Sequence, residues 1–264
     1  MMLKILILQS LYNCRTTRPN IRSRIGFRFK NFWGSDRKIL FREFNKYLEK
    51  QGFKARGGQM IDATFQEVPR QRGTREENEK IQKTETAPAD QSKAQKAQKD
   101  TDARWTKKRE RRYFGYKNHV NVDRKHKFIR DYRVTPANVH DSRCFEELLD
   151  ENAADKGVWA DSAYSGAALN EAVRAKGLEP HICEKGYRNH PLTPKQKSRN
   201  RRKSRVRVRV EHVFGLMSKL AHESRKIFTK GHRRAEVKLS LKNLTYNLYR
   251  FASLRQTAEK LCTH

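Results

Sequence analysis

Apolar residues gather along the chain in segments whose spacing names the elements. Ile39, Leu40, Phe41, Phe44, Tyr47 and Leu48 recur on one helical face, which predicts a helix over 36–51, with Ser35 or Asp36 as its N-cap and Gly52 as its stop. Met60, Ile61, Phe65 and Val68 predict a strand that Pro69 closes. From 70 to 112 apolar residues nearly vanish, and the stretch reads as a solvated insertion, partly helical or disordered, with basic ends. Alternation returns at Phe114–Val122, turns at Asp123–His126 and resumes at Phe128–Val134, the pattern of an antiparallel hairpin with one polar face.

Beyond the hairpin, Asp141 and Ser142 cap a helix carrying Phe145, Leu148 and Leu149 on one face. Val158-Trp159-Ala160 reads as a short buried strand that stops at Asp161, followed by a helix over 167–176, a Gly177 stop and a short strand over 180–183. A basic stretch, read as a loop, leads into a helix with Val210, Val213, Phe214, Met217 and Leu220 at helical spacing. A last helix over 234–254 packs through Val237, Leu241, Leu244, Leu248 and Phe251. Residues 1–34 keep no period; they are basic with interleaved aromatics, a composition suited to DNA.

Charge narrows the partners. Sixty Lys and Arg against 29 Asp and Glu give a formal charge of +31 in 264 residues, with 36% hydrophobic residues and a mean hydropathy of -1.00. Such a chain repels itself unless a polyanion neutralises it, so DNA or RNA is the expected partner, ahead of an anionic membrane. Cys14, Cys144, Cys183 and Cys262 form no CxxC pair, which argues against a zinc ribbon or a disulfide framework and for a reducing, cytosolic setting. The apolar start Leu3–Leu8 is too short to span a bilayer and lacks a signal cleavage site.

Three carboxylates stand out. Asp62 sits within an apolar strand, where its charge needs a cation or hydrogen-bond donors. Asp161 sits at the carboxyl end of a strand, where open sheets containing parallel strands place ligand sites, though it equally suits the cap of the next helix. Glu211 lies one residue from the apolar stripe of its helix, with Arg207 four residues before it. Asp102 reads as a turn or cap residue. From Lys185 to Val210 there is no acidic residue, and that single sign points to phosphate contacts.

Met60-Ile-Asp62-Ala-Thr64, Trp159-Ala-Asp161-Ser-Ala-Tyr164 and Arg207-Val-Arg-Val-Glu211-His-Val-Phe-Gly215 together resemble the three catalytic boxes of DDE transposases of the bacterial insertion-sequence IS5 group, in the IS4-like class. Gly115-Tyr-Lys-Asn-His119 and Asn243-Leu-Thr-Tyr-Asn-Leu248 are similar to that group's hairpin and C-terminal helix. The resemblance covers about 36–253 and implies an α/β, ribonuclease H-like mixed sheet flanked by helices. It divides the chain into an atypical N-terminal segment (1–53), a catalytic domain (54–254, with the insertion at 70–112) and a tail (255–264).

It further implies Mg²⁺-dependent cleavage and strand transfer at terminal inverted repeats, with Asp62, Asp161 and Glu211 as catalytic residues holding two Mg²⁺ ions, for which Mn²⁺ can substitute. Tyr164, Arg201, Arg202, Lys203, Arg205 and Arg207 are the DNA-contacting candidates. The implied setting is a bacterial cytoplasmic protein, at the nucleoid when bound to double-stranded DNA, acting as a homodimer away from membranes. The pattern departs from the class at three points: Ser204 stands at its Tyr position and Ser218 at its Lys position, with Lys219 one place late, and residues 1–34 do not resemble its helical N-terminal region. Two other readings therefore stay open, a truncated DNA-binding remnant and a nuclease on the same fold that cuts without joining.

Overall fold

A computed structural model describes residues 39–70, 76, 79, 92, 99–108, 110–220 and 226–262. The expectations for 1–34, for the N-cap at Ser35 or Asp36 and for most of the 70–112 insertion fall outside them. The described elements are α1 (Ile39–Lys50), β1 (Gln59–Glu67), β2 (Arg104–Lys108), β3 (Arg111–Asp123), β4 (Ile129–Pro136), α2 (Phe145–Leu148), β5 (Gly157–Ala160), α3 (Ala167–Ala175), β6 (Glu179–Ile182), α4 (Pro194–Arg207), α5 (Arg209–Leu220) and α6 (His232–Cys262). Single 3₁₀ turns at Asp141–Cys144 and Ser162–Tyr164 precede α2 and α3.

The six strands form one mixed sheet in which β1 lies between β3 and β5. β1 pairs antiparallel with β3 and parallel with β5, and β6 extends the parallel side. On the other edge of β3, β2 covers residues 111–115 and β4 covers 116–122, so one long strand serves two partners in succession. Gly58 makes the entry to β1 possible: its φ is +85°, and a Cβ there would stand 2.4 Å from the Trp159 ring and 2.5 Å from the Gly157 carbonyl.

Alternation along β1 divides the core in two. Met60 faces a cluster with Phe41, Val120, Val122, Tyr132, Val210, Val213, Met217, Leu239 and Leu244, to which α1, α5 and α6 contribute. Ile61 points the other way, into Phe145, Leu148, Val158, Val173 and Ile182. A three-layer arrangement, helices on both faces of a sheet, follows from that period of two. The layer holding α6 also contains a buried polar seam: Asn118 and Asn243 exchange side-chain hydrogen bonds at 2.8 and 3.3 Å. In the same layer Asn247 takes the Ile129 N–H and returns its own to the Ile129 carbonyl, as a neighbouring strand would.

Three expectations change. The basic stretch is helix α4 and not a loop, because Thr193 and Gln196 form a reciprocal capping box and Pro194 opens the first turn. Within the supposed insertion, Arg104–Lys108 is a strand, recruited by the overhanging start of β3. The last helix runs to Cys262, eight residues past Leu254, where the packing stripe ends. Among the described residues no helix is long and apolar enough to cross a membrane.

Candidate active site

The sheet brings the two aspartates level. β1 and β5 pair at Gln59 with Val158 and at Met60 with Trp159, and two further steps along both strands reach Asp62 and Asp161. There the strands part, because Asp161 stops β5 by capping the following 3₁₀ turn, its Oδ1 accepting the Ala163 N–H at 2.8 Å. Both readings of Asp161 thus hold at once: it caps the turn and sits at a strand's carboxyl end. Asp62 likewise accepts the Ala63 N–H through Oδ1 at 2.8 Å, which leaves Oδ2 to point at the helices.

Glu211 arrives from the helical layer. α5 packs on the sheet through Val210, Val213 and Met217, and Glu211, next to Val210, stays 57% exposed at the border of that contact. Arg207, the last residue of α4, lies between the elements. Its Nη1 donates to Asp62 Oδ2 at 2.6 Å and its Nη2 to Glu211 Oε1 at 3.2 Å. One guanidinium therefore joins two carboxylates that are 149 residues apart in sequence, 211 against 62.

The electrostatics fit this geometry. Burial pushes the Asp62 carboxyl up to about 6, and Arg207 only partly offsets it, while the Asp161 charge adds to the rise. Burial alone would weaken the Arg207 charge, but Asp62, Asp161 and Glu211 outweigh it and hold the guanidinium above its ordinary value. All three carboxylates act on one cation. They carry three negative charges against its single positive one, so the pocket is short of positive charge.

These observations meet an independent one: a family model described as "Transposase DDE domain" matches residues 54–248. The chain belongs to the DDE transposase family. A similar protein is the transposase for insertion sequence element IS1106 of Neisseria meningitidis serogroup B, 29% identical over 233 residues, which span 86% of this chain and 77% of that relative. Enzymes of the family cleave DNA and transfer its strands, and their DDE domains use divalent metal ions.

The donors in this DDE domain suit such ions in kind, since hard divalent cations take oxygen ligands and all three groups are carboxylates. Their spacing does not yet suit one. Among the described residues no three His, Cys, Asp or Glu groups are arranged to hold a metal ion. The Arg207 guanidinium pairs with both Asp62 and Glu211 instead.

The DNA-contacting candidates separate by face. α4 has no buried residue, yet one side of it is pinned to the end of β6. Lys203 donates to the Ile182 carbonyl at 2.7 Å, Asn200 bonds the Glu184 backbone on both sides, and Arg199 forks onto the Glu184 carboxylate. Residues 199, 200, 203, 204 and 207 share that side by helical spacing. Arg201, Arg202 and Arg205 take the opposite, exposed side, with no acidic partner among the described residues.

Lys203 and Arg207, expected to contact DNA, are thus turned inward. Tyr164 is a plainer correction: it is 1% exposed, its ring 5.0 Å from Phe145 inside the second core, where no phosphate reaches it. The family resemblance implied a DNA contact for it, but the 3₁₀ turn after Asp161 folds it underneath. Lys219 lines an open groove of about 380 Å³ along α5 together with Val208, Glu211, His212, Gly215 and Leu216, so its displaced position in sequence still brings it to the cavity beside Glu211. Asp102 does cap a helix, accepting the His232 N–H at 2.7 Å where α6 begins.

Proposed function

We propose that this chain is the transposase of an insertion sequence of the IS5 group, that it cuts DNA at terminal inverted repeats and joins the freed ends to a target, and that Asp62, Asp161 and Glu211 carry the reaction. The observation that carries the assignment is a single guanidinium bridging Asp62 on the central strand and Glu211 on a helix, with Asp161 level with Asp62 at the end of the parallel neighbour strand. The strand order supports a ribonuclease H-like reading of the sheet, with three antiparallel strands, β4-β3-β1, continued by the parallel strands β5 and β6. The catalytic unit is 54–254, with α1 packed on it through Phe41 and Leu48.

In this reading the carboxylates hold two Mg²⁺ ions, or Mn²⁺ in their place. When bound, such ions activate the attacking oxygen and stabilise the leaving one. The protein's own share is placement. β1 and β5 fix the aspartates through their backbone bonds, α5 brings Glu211 across, and Arg201, Arg202 and Arg205 on the outer side of α4 hold backbone phosphates of double-stranded DNA. A homodimer would present two such sites to the paired ends.

The test is strand cleavage and joining by the purified protein on DNA that carries the element's own ends. Wild type with Mg²⁺ yields both cut and joined products, whereas Asp62→Asn, Asp161→Asn and Glu211→Gln bind the ends and yield neither. Joined product from any of these variants at the wild-type rate overturns the assignment, and cutting without joining by wild type would mark a nuclease instead.

A further inference from the structure

Arg207 is placed unlike the other arginines of α4. It is 19% exposed at its side chain and bonded to two of the three proposed catalytic carboxylates, on the last residue of a helix whose other side is open and cationic. We propose that Arg207 is a latch: in the DNA-free protein its guanidinium occupies the space between Asp62 and Glu211 and competes with divalent ions, and DNA releases it by offering a phosphate in exchange. This rests on the carboxylate site proposed above, and the experiment below separates the failure of one from the failure of the other.

Charge and reach both favour the exchange. Two divalent ions bring four positive charges, and three carboxylates with one scissile phosphate bring four negative ones. That assembly is neutral without Arg207. Without DNA the same ions would face only three negative charges, and the displaced guanidinium would leave a 2.6 Å ion pair for no partner. With DNA, the exposed Arg205, about half a turn back along α4, and Arg201 and Arg202, about one and a half turns back, hold the backbone near the end of the helix, and a long arginine side chain can exchange a carboxylate for a phosphate with similar fork geometry. Any device in which one ligand frees the site of another makes the two bind cooperatively, and the coupling is reciprocal. The consequence for a strand-cutting enzyme is that the metal site assembles on DNA and stays closed off it.

The experiment is calorimetric titration of Ca²⁺, a hard divalent ion that takes the same oxygen donors, into the full-length protein with and without a duplex bearing the element's end. Wild type is expected to bind the ion weakly alone and more tightly with DNA. Arg207→Ala binds it about 10-fold more tightly than wild type in the absence of DNA, and the enhancement by DNA shrinks by a similar factor, within the range usual for coupled sites. Arg209→Ala, which removes an equal charge from an exposed position two residues away, leaves both quantities as in wild type.

An enhancement by DNA as large in Arg207→Ala as in wild type overturns the latch, and so does an equal response of Arg209→Ala, which would reduce the effect to general electrostatics. Asp62→Asn distinguishes the premise. If it binds Ca²⁺ as wild type does, the carboxylate site itself is wrong; if it loses the ion while Arg207→Ala behaves as wild type, only the latch falls.

Discussion

Two polar groups lie on one face of neighbouring strands and are solved in opposite ways. Asn118 on β3 meets Asn243 on α6, and Asp62 on β1 meets Arg207 on α4, each pairing a strand with a helix across the buried layer. The first is neutral, reciprocal and closed, each amide serving as donor and acceptor to the other. The second is charged and incomplete: burial keeps Asp62 near 6 despite its arginine, and Asp161 presses a further negative charge on it. Closed amide pairs fix a helix in register at little electrostatic cost, whereas an under-neutralised carboxylate group holds its residues in readiness for an added cation. The seam is structural in consequence, and the cluster is the proposed chemical centre.

Breaking the cluster should have the largest effect on activity and the least on the fold. Asp161→Asn removes a charge from a half-exposed cap while keeping an acceptor for the Ala163 N–H, so strand cleavage should fall on the order of 10³-fold or more with the melting temperature nearly unchanged. A large loss of stability instead would place Asp161 with the seam. On the open side of α4, replacing Arg201, Arg202 and Arg205 together by Ala should lower DNA affinity and flatten its salt dependence by roughly 0.9 for each phosphate no longer neutralised, measured by anisotropy over a salt series. Lys203→Ala, on the pinned side, should leave that slope close to wild type; equal slopes for the two variants would erase the distinction between the faces.

The seam should respond in stability alone. Asn243→Ala leaves Asn118 buried without its partner and should cost about 1–3 kcal/mol in denaturant unfolding, and the Asn118→Ala/Asn243→Ala pair less than the sum of the two. Stability also depends on pH through Asp62. The folded protein holds a proton on Asp62 up to about pH 6, above the ordinary 3.8, so this residue favours folding most below about pH 4. Its contribution is lost as pH rises through 6, by about 3 kcal/mol at full extent. The melting temperature of wild type relative to Asp62→Asn should accordingly drop between pH 4 and 6.5. A constant difference across that window would show that the carboxyl is not shifted.

Much of the fold is legible in the residues. Apolar spacing of two and of 3.6 identifies β1, the β3–β4 hairpin, β5, α3 and α5 to within a few positions, because each element buries one face and its period must match. Helix α4 escapes that reading although Thr193-Pro-Lys-Gln196 announces it, since a run of charged and polar residues carries no amphipathic stripe and leaves only the cap as a signal. β2 escapes it for another reason: its five residues are mostly exposed, and it is a strand only because β3 overhangs beside it.

Chain order alone determined which residue types were available for the chemistry: carboxylates in apolar surroundings, an acid-free basic stretch and an arginine one helical turn before a glutamate. Direction was decided by packing. Whether Tyr164 faces DNA or the core, which side of α4 is pinned to β6, and that Arg207 turns to Asp62 145 residues away rather than to solvent all depend on contacts between distant elements. Local pattern fixes the face a side chain takes relative to its own helix or strand. What lies across from that face is set only when the layers close, because burial and charge act through space and not along the backbone.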